Sequence, residues 1–227
     1  MPDIPNRDEL EARMARLLGK LSKAQMGRLL EELGDPPRVE NVSPTFWDEA
    51  GEELRNAIRP FMEAVYLESA QRLMSEQSVG VDWALVNEAA ANWASTYTYE
   101  LVTGINDTSA RYLQSAVDRY YRDAQTVGEL AAGLAQYEEF TRRAGRLFGV
   151  DRATVIAITE TTRAAVEGER GIADELAKER IQMEDFWVTR NDEVVCTICA
   201  PRNGVAEGKG TGDAYWTKRD GPPAHPS

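Results

Sequence analysis

Asp8-Glu-Leu-Glu-Ala-Arg-Met-Ala-Arg-Leu-Leu-Gly-Lys-Leu-Ser-Lys-Ala-Gln-Met-Gly-Arg-Leu-Leu-Glu-Glu-Leu33, broken by Gly34-Asp35-Pro36-Pro37, is the stretch that sets the fold class. Its apolar residues Leu10, Met14, Leu17, Leu18, Leu21, Met26, Leu29, Leu30 and Leu33 recur at spacings of three and four. That period puts them on one face of an α-helix, with the charged residues on the other. The glycine and the two prolines then end it, because proline has no amide hydrogen to continue the ladder.

Reading outward, the same pattern repeats. Ser43 and Pro44 predict an N-cap and a first helical residue, and the apolar period continues through Phe46, Leu54, Ile58, Phe61, Met62, Val65, Leu73 and Met74, with a kink expected at Pro60. A third helix is expected from about Asp82, with Trp83, Val86, Ala90, Trp93, Tyr97 and Leu101 forming an aromatic-rich stripe that reads as core. A fourth is expected from Asn106-Asp107 through Tyr112, Leu113, Val117, Tyr120 and Tyr121. Thr126-Val-Gly-Glu129 has the form of a capping box and opens a short helix ending near Gln136. Residues 138–148 read as another helix closed by Gly149, and Asp151 as the cap of a last long helix from Arg152 to about Lys178.

After Asp185 the composition changes. Phe186-Trp-Val-Thr and Glu193-Val-Val-Cys196 are dense in aromatic and β-branched residues and predict short paired strands around Asn191-Asp192. The expected fold is therefore mainly α, a multi-helix body over residues 1–185 with a small β/loop module of zinc-knuckle type over residues 186–227. Charge divides the chain at the same place. From Phe186 onward five Lys/Arg offset five Asp/Glu, so the first 185 residues hold the whole net charge of −12. An acid excess of that size opposes autonomous binding to a polyanion. Arg142, Arg143 and Arg146 share one turn, but such a cluster is usually a solvated face. With 42% hydrophobic residues and no apolar run near the ~20 residues of a membrane span, no membrane segment is expected. Met1-Pro-Asp-Ile-Pro-Asn6 has neither the basic start nor the apolar core of a secretory signal.

The only two cysteines, Cys196 and Cys199, and the only histidine, His225, all lie in the last module. In Cys-x-x-Cys the spacer lets both thiolates face one ion at about 2.3 Å, and an imidazole from a nearby loop can be a third ligand. A structural zinc site takes four ligands. The fourth is Asp213 or Asp220, or lies past Ser227, or no metal binds; a ligand past Ser227 is the favoured reading. Plain packing of two thiols, or a redox pair, remain as alternatives, although redox Cys-x-x-Cys motifs normally follow a strand in a βαβ unit that this sequence lacks. Glu160 and Arg163, three apart in Ile158-Thr-Glu-Thr-Thr-Arg163, either form an exposed pair worth a few tenths of a kcal/mol or fix the orientation of the last module. No P-loop, Gly-x-Ser-x-Gly or His-Glu-x-x-His motif is present, so no catalytic residue is assigned and the chain is not expected to be an enzyme.

Taken in order, Ile158-Thr-Glu160-Thr-Thr-Arg163-Ala, Gly168, Trp187-x-Thr-x-x-Asp192-x-x-x-Cys196-x-x-Cys199, Gly204 and Pro222-Pro-x-His225-Pro resemble the phage head-morphogenesis proteins, the Mu protein F-like minor head proteins. The resemblance covers residues 126–227. It implies a minor component of a tailed-phage or prophage head, acting in head assembly, DNA packaging or delivery. The implied partners are portal and capsid proteins, with contact to packaged DNA and no strong autonomous nucleic-acid binding; a homo-oligomer is left open. The implied location is the virion, and the host cytoplasm during assembly. It also implies zinc held by the positions of Cys196, Cys199 and His225. The family pattern continues past the histidine with a Cys-Arg-Cys-like element, which is where the fourth ligand is expected. Because some members carry toxin domains after this module, delivery of an effector absent from this chain is the alternative function.

Overall fold

The computed structural model describes residues 6–138, 152–189 and 197–217. Among them are five α-helices, α1 Arg7–Leu33, α2 Phe46–Gln77, α3 Trp83–Arg122, α4 Val127–Glu138 and α5 Arg152–Lys178, and no β-strand. The mainly helical class is therefore as the periodicity predicts. The described residues group into two compact units. Unit 1 draws on Met1–Leu10, Met62–Trp93 and Ile158–Ser227, and unit 2 on Glu11–Phe61 and Ala94–Ala157.

Several boundaries follow local chemistry closely. α1 ends at Leu33, and Gly34 takes φ +74°. The capping box forms as read: Thr126 Oγ1 accepts from the Glu129 amide at 3.2 Å and the Glu129 carboxylate accepts from the Thr126 amide at 2.7 Å. The Thr126 amide, together with the Thr126 hydroxyl donating to the same carboxylate at 2.9 Å, holds the Glu129 carboxyl below the usual carboxylate range. Asp82 caps α3, its carboxylate accepting from the Ala84 amide at 2.9 Å. α2 opens two residues later than expected. Ser43 to Phe46 form a turn, in which the Phe46 amide donates to the Ser43 carbonyl at 3.0 Å, and Thr45 supplies the first α-helical acceptor, to Glu49, at 2.9 Å. Pro60 lies inside α2, which continues as helix on both sides of it.

One boundary differs from the expectation. The third and fourth expected helices are a single helix of 40 residues, and Gly104-Ile-Asn106-Asp107 does not interrupt it. The polar side chains along this stretch are engaged within the fold. Thr103, Thr108 and Ser109 donate back to carbonyls four residues earlier at 2.8–2.9 Å, and Asn106 donates across to the Trp47 carbonyl at 2.8 Å. The buried line of α3 shares Val86 and Ala90 with the expected stripe, and Trp93 packs against that core, but beyond Ala90 the line shifts to small residues. It runs Val86, Ala90, Ala94, Thr98, Val102, while Trp83 is 37% exposed. Residues spaced by four with small side chains let neighbouring helices come close.

The core of unit 2 is built from large aliphatic side chains. Leu29 and Leu33 of α1 meet Phe46 and Ala50 of α2, Leu113 and Val117 of α3, and Leu130 and Leu134 of α4. Burying each such leucine contributes roughly 1.5–3 kcal/mol. Phe46 and Trp47 add an edge-on ring contact, with centroids 5.1 Å apart at 88°.

The core of unit 1 is built on close approach. Tyr66 and Ala70 of α2, Val86 and Ala90 of α3, and Ile172 and Leu176 of α5 form one buried cluster. At Gly168 the backbones of α5 and α2 nearly touch. A Cβ there would sit 2.9 Å from the Tyr66 carbonyl carbon and closer still to its oxygen, so only glycine fits. The Tyr66 hydroxyl then occupies the space that a side chain at Gly171 would need. Burial, with the charges of Glu167, Asp174 and Glu175, pushes the Tyr66 hydroxyl up from its ordinary value.

Candidate functional site

The final module can be followed through residues 181–189 and 197–217. Its short segments fold around two indoles. Trp187 and Trp216, each 2% exposed, meet edge-on with ring centroids 5.3 Å apart at 71°. The Arg202 guanidinium covers the Trp187 ring at 5.0 Å. The Trp216 Nε1 donates to the Val205 carbonyl at 2.8 Å, so its polar edge is satisfied inside. Backbone pairing closes the arrangement: Trp187 N to Val205 O at 3.0 Å, Gly204 N to Trp187 O at 2.7 Å, and Glu207 N to Asp185 O at 2.9 Å. Gly210 lies so near Ala214 and Tyr215 that a Cβ would come within 2.9 Å of the Tyr215 amide.

This corrects the strand expectation in part. Phe186 makes an isolated antiparallel bridge with Ala206 rather than starting a strand. Its described partner segment is 204–207. The Glu193-Val-Val-Cys196 half of the expected hairpin lies outside the described residues, as do the helix expected over 138–148 beyond Glu138, the Asp151 cap and the Arg142, Arg143 and Arg146 cluster.

Of the three expected metal ligands, only Cys199 falls within the described residues. It is half-buried and stands directly before the short 3₁₀ turn Ala200–Arg202, its carbonyl accepting from the Arg202 amide at 3.2 Å. Cys196 and His225 lie outside, as does Asp220; Asp213 is exposed in the 3₁₀ turn Gly212–Ala214. Among the described residues no group of three or more His, Cys, Asp or Glu could hold a metal. The described tail thus shows a tryptophan-centred module. Trp216 was not singled out in the sequence, yet the signal was there: two of the five tryptophans fall in the last 42 residues.

The polar stretch of α5 is more deeply placed than an exposed pair would be. Thr159, Glu160, Thr161 and Thr162 are all buried, at 5%, 5%, 2% and 3% exposure. Four consecutive buried residues cover more than one face of a helix, so α5 is enclosed there rather than amphipathic. The Arg7 guanidinium, itself 8% exposed, donates to Thr162 Oγ1 at 2.6 Å, and that hydroxyl donates to the Ile158 carbonyl at 2.9 Å. Glu160 and Arg163 do approach, at 3.4 Å, but with the Glu160 side chain only 7% exposed. The surface estimate of a few tenths of a kcal/mol therefore does not apply to it.

Sequence reading missed a second constellation in unit 1. Arg72 of α2 donates to Glu76 at 2.8 Å and also to Glu169 of α5. Burial pushes the Glu169 carboxyl up to about 6; Arg72 opposes this, while Glu76 and Asp185 reinforce it. Arg72 thus bridges two carboxylates, and the charge of Asp185 is felt at one of them. These groups line an open cleft of about 460 Å³ whose apolar wall includes Met183, Phe186, Val188 and Trp216. No spacing rule links residues 72, 169 and 185, so nothing in the sequence marks them as a group.

The fold and this region define a mainly helical protein whose last module is organised by a tryptophan pair. Comparison of the chain with known protein families, characterised proteins and solved structures finds no match. No helix among the described residues is long and apolar enough to cross a membrane.

Proposed function

We propose that this protein is a minor head component of a tailed phage or prophage, binding portal or capsid proteins during assembly, DNA packaging or delivery, and that it is a structural and interaction protein rather than an enzyme. The observation that carries this reading is the ordered set of residues from Ile158 to His225 that resembles the head-morphogenesis proteins. What those residues do locally supports it. Gly168 is a helix contact point, Thr162 anchors Arg7, Trp187 is half of the tail core, and Gly204 pairs with it. Each of these is an architectural role of the kind an assembly module requires. Quantitative mass spectrometry of purified heads from the source strain tests the proposal. A few copies relative to the major capsid protein are expected; absence from heads and from portal-containing assembly intermediates would overturn it.

Zinc is part of the same proposal. Two thiolates and an imidazole suit that ion, and the residues that would hold it are Cys196, Cys199 and His225, with one further ligand. Bound there, zinc would tie the Cys-x-x-Cys loop to the segment around His225 and contribute folding energy locally. Elemental analysis should give about one zinc per chain, lost in Cys199→Ser. Cys196→Ser should speed hydrogen exchange in the tail and leave the helices protected. Metal-free protein with unchanged tail exchange in both variants would refute the zinc reading.

A further inference from the structure

We propose that the cleft between the end of α2, α5 and residues 183–188 is a docking groove for a partner protein's segment that combines apolar side chains with lysine or arginine. Two independent features of the lining select that chemistry. The first is charge. Among the described residues, four carboxylates, Glu76, Glu169, Glu184 and Asp185, line the cleft with two guanidiniums, Arg72 and Arg170. Both guanidiniums already have acidic partners on the protein: Arg72 pairs with Glu76 and Glu169, and Arg170 pairs with Glu167 at 2.8 Å. An incoming cation therefore meets an excess of negative charge, and an incoming anion meets repulsion.

The second feature is apolar surface. Phe186 is 53% exposed and Val188 48% exposed at the cleft, while Leu73, Val166 and Met183 line it further along. Large side chains left half in water beside a concave wall are what an apolar anchor from another chain would cover. The volume, about 460 Å³, is ample for a few side chains. A purely acidic surface would bind any polycation, and a purely apolar groove would be indifferent to charge; this lining asks for both.

The inference goes beyond head membership and is tested on the isolated protein, so the two fail separately. Three hexapeptides serve as probes: alternating lysine and leucine, alternating glutamate and leucine, and alternating lysine and serine. Binding is followed by isothermal titration calorimetry and by amide shifts in nuclear magnetic resonance. The lysine–leucine peptide should bind and perturb residues 183–188, with the other two at least roughly tenfold weaker. Glu184→Lys and Val188→Ser change exposed residues, and circular dichroism checks that each remains folded. Each should weaken the lysine–leucine peptide by roughly tenfold as well. Equal binding of the lysine–serine or glutamate–leucine peptide, binding unaffected by both variants, or no binding at all would overturn the proposal. So would concentration-dependent self-association abolished by the same variants, which would assign the groove to a second copy of this chain.

Discussion

Unit 2 and unit 1 pack their helices by opposite means. In unit 2, leucines and a phenylalanine from four helices fill the interior by volume, and any one of them occupies a space that another apolar residue could nearly fill. In unit 1, α5 and α2 come together because Gly168 has no side chain at all, and two indoles hold the tail. A volume-filled core degrades gradually under substitution. A contact made by absence of atoms tolerates almost nothing, and that contrast can be broken or sharpened by experiment.

The sharpest break is expected at Gly168→Ala. The added carbon meets backbone rather than a mobile side-chain end, so the helices must separate, at a cost expected to be at least about 3 kcal/mol in urea unfolding. Gly27→Ala in α1 is the control, since nothing lies within 4 Å of its Cβ position; there the change should stabilise by roughly 0.5–1 kcal/mol. Destabilisation of similar size at both sites would dismiss the close-approach argument. Trp187→Ala comes next, with a loss of about 3–5 kcal/mol in the tail core and little change in helical circular dichroism. Leu113→Ala should cost about 2–5 kcal/mol, and Leu113→Met under about 1.5, which is the gradual response that a volume-filled core predicts.

A smaller effect separates the units by pH. The folded protein holds Glu169 at about 6, above its ordinary value near 4.5, and therefore binds the proton more tightly than the unfolded chain. Stability from this group is fully present below the unfolded value and is lost as pH rises through about 6. Glu169→Gln mimics the protonated form, so it should stabilise by up to about 2 kcal/mol at pH 7 and by little at pH 4. Thermal unfolding at the two values decides; equal effects at both would place the Glu169 proton affinity at its unfolded value. The smallest change expected is Thr126→Ala, about 1 kcal/mol from loss of the α4 cap.

How much of this could be read from the sequence follows from the same division. Periodicity located α1, and a capping box located the start of α4, because both signals are carried by residues a few positions apart. The continuity of α3 through Asn106 was not legible, since that side chain bonds Trp47, 59 positions away. Gly168 belongs to the ordered set from Ile158 to His225, but its reason, the carbonyl of Tyr66, lies on another helix. The Arg72 and Glu169 pair is 97 positions apart and no local pattern could announce it. The Cys-x-x-Cys and the lone histidine draw attention to the tail, while its described core turns on Trp187 and Trp216, whose pairing only packing shows.

The edge-on contact of Trp187 with Trp216 has an optical consequence. Two indoles fixed 5.3 Å apart at 71° couple their electronic transitions and should give an exciton couplet on top of the helical circular dichroism spectrum. The tail thereby carries its own reporter: loss of the couplet with helical bands intact marks opening of that module alone, without a label and in a mixture with any partner that lacks a close tryptophan pair.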